Sequence, residues 1–198
     1  MNRIVTMLTT LLVVSLAWLQ PAVAQDAAPK AVPVEFFACN FQDGKGMADL
    51  DKVIDKFKAY ADQNDVGYTA WTLTPQFTND REEDAFDVGW LGAWPDGNAF
   101  GKSQDNWMTK GRDVAKAFGA VIDCSNRHEM ASSIAINAPE EPPGDGVVMF
   151  YACSLGDGKS PNDAIAAAGK LSGAMTALGT NASSWLFFSR HGGRRHRF

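Results

Sequence analysis

The strongest constraint on the fold is an internal repeat: the chain matches itself at an offset of 114 residues without a gap. The match places a rare cysteine, a rare tryptophan and a three-residue turn in one register. The matched residues are Val34 with Val148, Phe36 with Phe150, Ala38 with Ala152, Cys39 with Cys153, Asp43-Gly44-Lys45 with Asp157-Gly158-Lys159, Asp49 with Asp163, Lys56 with Lys170, and Trp71 with Trp185. Chance does not readily produce such a set, so the pattern predicts a duplicated unit.

The first copy, residues 25–138, has the hydrophobic pattern of a complete α+β unit. Strand-type runs alternate with apolar residues at helical spacing, and Gly and Pro mark the turns between them. The predicted strands cover residues 34–41, 68–77, 85–94 and 130–136, and the predicted helices are built on residues 50–61 and 107–122. This βαββαβ order is typical of the ferredoxin-like plan, in which two helices cover one face of an antiparallel sheet.

The second copy, residues 147–189, follows a Pro- and Gly-rich linker at 139–146 and predicts only a strand, a helix and a strand. The tail at 190–198 is polar and basic, where the first copy is acidic and alternating. We therefore expect a truncated second unit ended by a frameshift or an early stop, with a natural short form as the alternative. Because an incomplete unit leaves an open sheet edge, we also expect association into a homodimer through this unit.

The helix of the second copy has clear start and stop signals. Ser160 is an N-cap residue, Pro161 fits the first helical position, and Asp163 completes a capping box. Gly179 fits the C-terminal stop of this helix.

The first 24 residues have the pattern of a secretory signal peptide. Arg3 supplies a positive charge, residues 7–19 are mainly apolar, and Ala22-Val23-Ala24 has the small-x-small pattern of a cleavage site. The apolar run is shorter than the roughly 20 residues that a bilayer span needs, although a retained N-terminal anchor is the alternative. We expect an exported protein, periplasmic or secreted, that does not enter a membrane after cleavage.

The charge of the body argues against nucleic acid as a partner. Residues 25–189 carry all 23 acidic residues but only 13 of the 18 basic ones. Binding to nucleic acid depends on Lys and Arg that neutralise phosphates, so an acidic body does not suit it.

Several short motifs carry a resemblance to a known group of proteins. They are Phe37-Ala38-Cys39-Asn40, Asp43-Gly44-Lys45, Trp71, Asp87-Val88-Gly89-Trp90-Leu91-Gly92, Trp94-Pro95-Asp96-Gly97 and Val121-Ile122-Asp123-Cys124. In these motifs the chain resembles secreted bacterial proteins that consist of two ferredoxin-like units, within the dimeric α/β-barrel superfamily. There, two sheets face each other across a barrel interior, and members include antibiotic-type monooxygenases, haem-degrading enzymes, chlorite dismutase relatives and proteins without known activity. Such a likeness implies a fold and carries no function over.

The three cysteines of the predicted mature chain are Cys39, Cys124 and Cys153. In a sheet of order 4-1-3-2, the end of the first strand lies near the start of the fourth, and this arrangement predicts a Cys39–Cys124 disulfide. Cys153 is then free or joined between chains. The spacing gives no C-x-x-C pair and no nearby histidine, so we predict no metal site.

His128 is the only histidine of the complete unit and the one candidate for catalysis. A haem ligand or a general base would resemble roles known in the superfamily, whereas a lone loop histidine is more often solvated. No residue pattern identifies a cofactor.

The tryptophans are the better indication of a binding site. Five of them fall in the predicted mature chain: Trp71, Trp90, Trp94, Trp107 and Trp185. Aromatic walls with a few polar groups are typical of small-molecule pockets, and the alternative is that these rings fill the core. The candidate ligand-binding residues are Asn40, Tyr68, Thr69, Trp71 and Trp90.

Three functions remain open at this point. The first hypothesis is a non-catalytic exported module that binds a small apolar or aromatic molecule between paired sheets. The second is a monooxygenase-like or haem-handling enzyme that uses His128. The third is a structural or interaction protein with a filled barrel.

Overall fold

The structure, a computed structural model, describes residues 30–76, 85–124, 127–138, 144–180 and 182–189. The predicted signal peptide, most of the linker and the basic tail lie outside these ranges. The strands are β1 Ala31–Phe41, β2 Thr69–Leu73, β3 Val88–Ala93, β4 Ile122–Asp123, β5 His128–Asn137 and β6 Ser184–Ser189. The helices are α1 Met47–Gln63, α2 Gly97–Lys110, α3 Arg112–Gly119 and α4 Pro161–Ala177.

The sheet is antiparallel and has the strand order β2-β3-β1-β5-β6. Its first four strands reproduce the order expected for a ferredoxin-like unit, with β5 as the fourth strand. The predicted α+β class and the ferredoxin-like sheet are therefore confirmed. The short strand β4 pairs with the end of β1, where Asn40 lies opposite Asp123 and Phe41 opposite Ile122.

The core lies between this sheet and helices α1 and α3. Leu50 and Val53 recur at helical spacing on α1 and pack against Cys39 of β1 and Val88 of β3. Phe118 of α3 joins the same cluster, so both helices cover the same face of the sheet. Burial of such apolar side chains is the main stabilising contribution to a domain of this size.

The second helix of the first unit is divided in two, which differs from the single helix predicted at 107–122. Gly111 separates α2 from α3, and its backbone N–H donates to the carbonyl of Trp107 at 2.9 Å. A Cβ at position 111 would come within 2.6 Å of the Trp107 ring. The glycine thus permits a close turn that the hydrophobic period alone does not reveal.

The α4 region resembles the α1 region in detail. Helix α4 has 17 residues, the same length as α1, and begins 114 positions after the start of α1. Each helix follows a turn with a glycine in the left-handed region, Gly44 at φ +68° and Gly158 at φ +67°. This likeness supports the predicted repeat, which stays a prediction.

The predicted caps of α4 are confirmed. The Ser160 side chain accepts from the backbone N–H of Asp163, and the Asp163 side chain accepts from the backbone N–H of Ser160. At the other end, Gly179 adopts φ +78°, and its N–H donates to the carbonyl of Thr176 at 2.9 Å.

The strand predicted from Val147 does not form. Residues 144–160 contain neither helix nor strand, so α4 and β6 are the described regular elements of the predicted second copy. Strand β1, the counterpart of this segment in the repeat, is bonded on both sides, by β3 and by β5. No described strand is bonded to residues 147–155, and β6, the counterpart of β2 in the predicted repeat, pairs with β5.

None of the four helices in the described part of the chain combines the length and apolarity that a bilayer span requires.

Candidate functional site

The sheet has two unlike faces, which strand alternation assigns residue by residue. The closed face, which carries Phe37, Cys39 and Trp90, packs against α1 and α3. The open face carries Phe36 and Trp71, which both lie opposite Leu91 of β3. The closed face carries a hydrogen-bonded network, and the open face carries a set of aromatic rings.

A hydrogen-bonded network occupies the closed face near the end of β3. The Tyr68 hydroxyl donates to Glu35 Oε1 at 2.7 Å and accepts from the Trp90 indole N–H at 2.7 Å. Gly92 makes room for this ring, since a Cβ at that position would overlap the Tyr68 hydroxyl. Burial, and then the negative charge of Glu35, raise the pKa of Tyr68 far above its ordinary value, so the phenol remains a neutral donor.

His128 lies at the outer end of the same network. Its Nε2 is 3.2 Å from Glu35 Oε2, and its ring stacks on Phe37 with centroids 4.0 Å apart. A carboxylate only accepts, so Nε2 carries the proton in the neutral ring. The His128 side chain is 44% exposed and that of Glu35 only 12%. Glu35 therefore links a buried phenol to an imidazole that is partly exposed to solvent.

The open face carries a set of aromatic rings that we call the aromatic floor, defined by Phe36, Phe86, Phe150 and Phe187. Phe36 contacts Phe86 edge to face with centroids at 6.0 Å, and Phe150 lies 6.4 Å from Phe36 and 6.2 Å from Phe187. Phe150 is 55% exposed and Phe187 is 41% exposed. The floor is therefore only partly covered.

The five predicted ligand-binding residues do not form one site. Tyr68 and Trp90 are hydrogen-bonded to each other on the closed face, whereas Trp71 lies on the open face. Thr69 is exposed beside Ala93 on the same side as Trp71. Asn40 is exposed at the far end of β1, opposite Asp123.

On the closed face the tryptophans pack as core residues, which is the alternative interpretation of these rings. Trp90 and Trp107 pack edge to face around Phe57 of α1, and Trp94 is 3% exposed between Tyr68 and Phe100. Among the tryptophans of residues 25–138, Trp71 therefore borders the open face.

The predicted disulfide is confirmed. Cys39 and Cys124 are joined with an S–S distance of 2.06 Å and a Cα–Cα distance of 4.2 Å. The β1–β4 register accounts for this, because the pair Asn40 and Asp123 places the two cysteines next in the ladder. Cys153 is free and exposed.

Sequence reasoning missed Glu35 and the aromatic floor. Glu35 is the only charged residue within β1, and a lone carboxylate in a central strand was the signal that could have revealed it. The floor had a weaker signal, since Phe36 and Phe150 are matched positions of the repeat. Within the described ranges, no group of three or more His, Cys, Asp or Glu side chains is arranged to hold a metal ion.

The chain is similar to solved structures over about half of its length. No family model and no curated protein matches the chain. Among solved structures, it aligns with a candidate chlorite dismutase at 11% identity and a TM-score of 0.33, covering 52% of this chain and 44% of that one. It also aligns with SnoaB, a cofactor-independent oxygenase from Streptomyces nogalater, at 20% identity and a TM-score of 0.33, covering 52% of this chain and 91% of that one.

The chain thus spans less than half the length of the candidate chlorite dismutase. TM-scores this low support no argument about activity, and the fold assignment rests on the strand order.

Proposed function

We propose that this chain is a non-catalytic module that binds a small apolar or aromatic molecule against its open face, between this sheet and a second sheet paired with it. The observation that carries the proposal is the aromatic floor, where Phe150 and Phe187 are about half exposed although they contact other rings. Exposed apolar surface of this kind marks binding sites in soluble proteins.

The shape of the face suits a flat ligand. Phe36, Leu91 and Trp71 lie side by side across three neighbouring strands. The Phe36 ring rests close to Gly89, where a Cβ would come within 2.9 Å of it, so the ring lies low against the sheet. Phe150 lies next to the Phe36 ring on this face, and Phe187 lies next to Phe150. Thr69 supplies a polar group at the margin.

The charge distribution supports binding rather than catalysis on this face. Among the open-face positions of β1, β2, β3, β5 and β6, Glu129 is the only ionisable residue. The Glu35–Tyr68 network lies on the opposite side of the sheet, under the helices. General acid–base catalysis needs positioned ionisable groups, and this face offers one, so a binding role fits it better.

Export is part of the proposal. The Cys39–Cys124 disulfide is compatible with an oxidising compartment, where such bonds persist.

The test is a titration of the protein with a panel of aromatic compounds, followed by tryptophan fluorescence. We expect at least one compound to quench the emission, and the response to weaken at least several-fold in Trp71→Ala. Met108→Ala is the matched control, since Met108 is 80% exposed on α2 and does not border the open face. A panel without any response, or an equal loss in the control, would contradict the proposal and favour a filled barrel.

A second candidate function is favoured by the contact between His128 and Glu35. A carboxylate that holds one imidazole nitrogen fixes the orientation of the ring, an arrangement found in general bases and in metal-ligating histidines. Nδ1 of His128 would then be the reacting or ligating atom. Haem reconstitution tests the ligating version: a Soret band that disappears in His128→Ala would support it, and absence of any band would reject it.

A further inference from the structure

We propose that residues 147–155 of one chain add as a strand to the outer edge of β6 in a second copy, so that two chains form a two-fold dimer by strand exchange. The proposal joins two features of the second unit that are otherwise unexplained, an unpaired sheet edge and an unpaired segment of strand-forming sequence.

The first feature is the outer edge of β6. Within the described residues β6 is the last strand of the sheet, bonded to β5 on one side only. Its sequence, Ser-Trp-Leu-Phe-Phe-Ser, contains no charged residue and no proline. Natural edge strands usually carry such residues because they prevent association with another strand. The β6 edge therefore remains open to strand addition.

The second feature is the segment at 147–155. Its sequence, Val-Val-Met-Phe-Tyr-Ala-Cys-Ser-Leu, is uncharged and rich in strand-forming residues, yet it has no regular structure. Its large side chains are exposed, among them Val147 at 91% and Tyr151 at 76%. Burial of these side chains in an intermolecular sheet would remove apolar surface from water. The same pairing would provide hydrogen-bond partners for the backbone N–H and C=O groups of residues 147–155 and of the outer edge of β6.

The contacts of Phe150 indicate why the partner strand comes from a second copy. Phe150 touches Phe36 of β1 and Phe187 of β6, so the segment crosses the open face of its own sheet rather than lying beside β6. A second copy presents an identical segment and an identical edge. Reciprocal exchange satisfies both edges at once and closes the assembly with two-fold symmetry.

Analytical ultracentrifugation of the chain without its predicted signal peptide, combined with hydrogen exchange, tests the proposal. We expect a concentration-dependent dimer in which the amides of residues 147–155 and of β6 are protected together. Val148→Lys with Tyr151→Lys should weaken dimerisation about 100-fold, because lysines on a pairing strand oppose its addition to another edge. Both residues are exposed in the single chain, so its fold should be unaffected. Met108→Lys, at an exposed site on α2, is the control and should still dimerise.

Three results would overturn the proposal. The first is a monomer at every concentration. The second is a dimer that persists in the double-lysine variant while the amides of 147–155 exchange freely, which would indicate another interface. The third is a monomer with protected amides at 147–155, which would show that the segment pairs within its own chain.

Discussion

The closed and open faces of the sheet are built from the same strands but are stabilised in different ways. On the closed face, helices cover the strands, the Cys39–Cys124 disulfide joins β1 to the chain before β5, and Tyr68 is bonded on two sides. On the open face, Phe36 and Phe150 meet other rings, and α1 and α3 lie on the opposite side of the sheet. Phe150 itself belongs to a segment without regular structure.

This difference separates stability from binding. Groups that are buried and hydrogen-bonded on the closed face have fixed partners, and their replacement should destabilise the fold. Half-exposed rings on the open face have room to move, so their replacement should affect ligand binding more than folding. The predictions that follow test this separation, beginning with the largest effect.

Loss of the disulfide should have the largest effect on stability. The bond closes a loop between residues separated by 85 positions, and in the chain-entropy model such a loop contributes about 4.5 kcal/mol. We expect Cys39→Ala with Cys124→Ala to lower the unfolding free energy by about that amount in urea denaturation. Cys153→Ala is the control, because Cys153 is exposed and free. Equal stability of the double variant and the control would contradict the account of the closed face.

Two glycines of β3 provide a matched pair on opposite faces. Gly92→Ala places a methyl group against the buried, doubly bonded Tyr68, whereas Gly89→Ala places one 2.9 Å from Phe36, a half-buried ring. We expect a loss of about 3 kcal/mol for Gly92→Ala and about 1 kcal/mol for Gly89→Ala, because only Phe36 can move aside. The comparison fails if the order of the two losses in thermal or urea unfolding is reversed.

Tyr68 should make stability depend on alkaline pH. Its pKa is raised in the folded protein, so above the ordinary value of 10.0 the unfolded chain loses a proton that the folded chain keeps. The contribution is complete below pH 10 and is lost as pH rises, at about 1.4 kcal/mol per pH unit.

The slope above pH 10 should therefore be reduced in Tyr68→Phe, with the remainder due in part to Tyr60, whose pKa burial also raises. Tyr151→Phe is the control, since Tyr151 is 76% exposed. The measurement is the unfolding free energy of each variant between pH 8 and pH 11. If both variants kept the wild-type dependence of this free energy on pH, the buried network would be contradicted.

The smallest effect concerns the N-terminus of α2. Asp96 accepts from the Ala99 N–H at 2.9 Å, and this bond is the main cause that lowers the pKa of the Asp96 carboxyl. Asp96→Ala should destabilise the protein slightly at neutral pH. The difference from wild type should shrink as pH falls from 3.8, where the unfolded chain takes up the proton, through the lower pKa of the folded protein. Asp105→Ala, at an exposed site on the same helix and away from its N-terminus, is the control, and an equal loss of stability in the two variants would contradict the capping role of Asp96.

The sequence predicted the parts of the fold that depend on local signals and on strand order. The ferredoxin-like order placed Cys39 and Cys124 together, and the residues Ser160 and Asp163 marked the start of α4. These predictions held because the hydrophobic period and the capping residues identify each helix and strand from a short stretch of sequence. The order of these elements along the chain then indicates the order of the strands in the sheet.

The site was less predictable because it depends on register. Trp71 and Trp90 both looked like pocket residues, yet Trp71 lies opposite Leu91, which puts the two tryptophans on different faces. A shift of one residue in the β2–β3 pairing would have reversed this result, and no local pattern fixes that register. The segment at 147–155 shows a related limit, since a strand forms only where other strands can bond to it.

The most direct test of the central claim, that ligand binds at the open face, is a titration followed through the indole N–H signals in two-dimensional NMR. A naphthalene-type probe is added to uniformly ¹⁵N-labelled protein. The account predicts saturable shifts for Trp71 and Trp185, which lie on the open face by register, and small shifts for Trp90, Trp94 and Trp107. Large shifts confined to the closed-face tryptophans, or no saturable shift at any of the five, would contradict it.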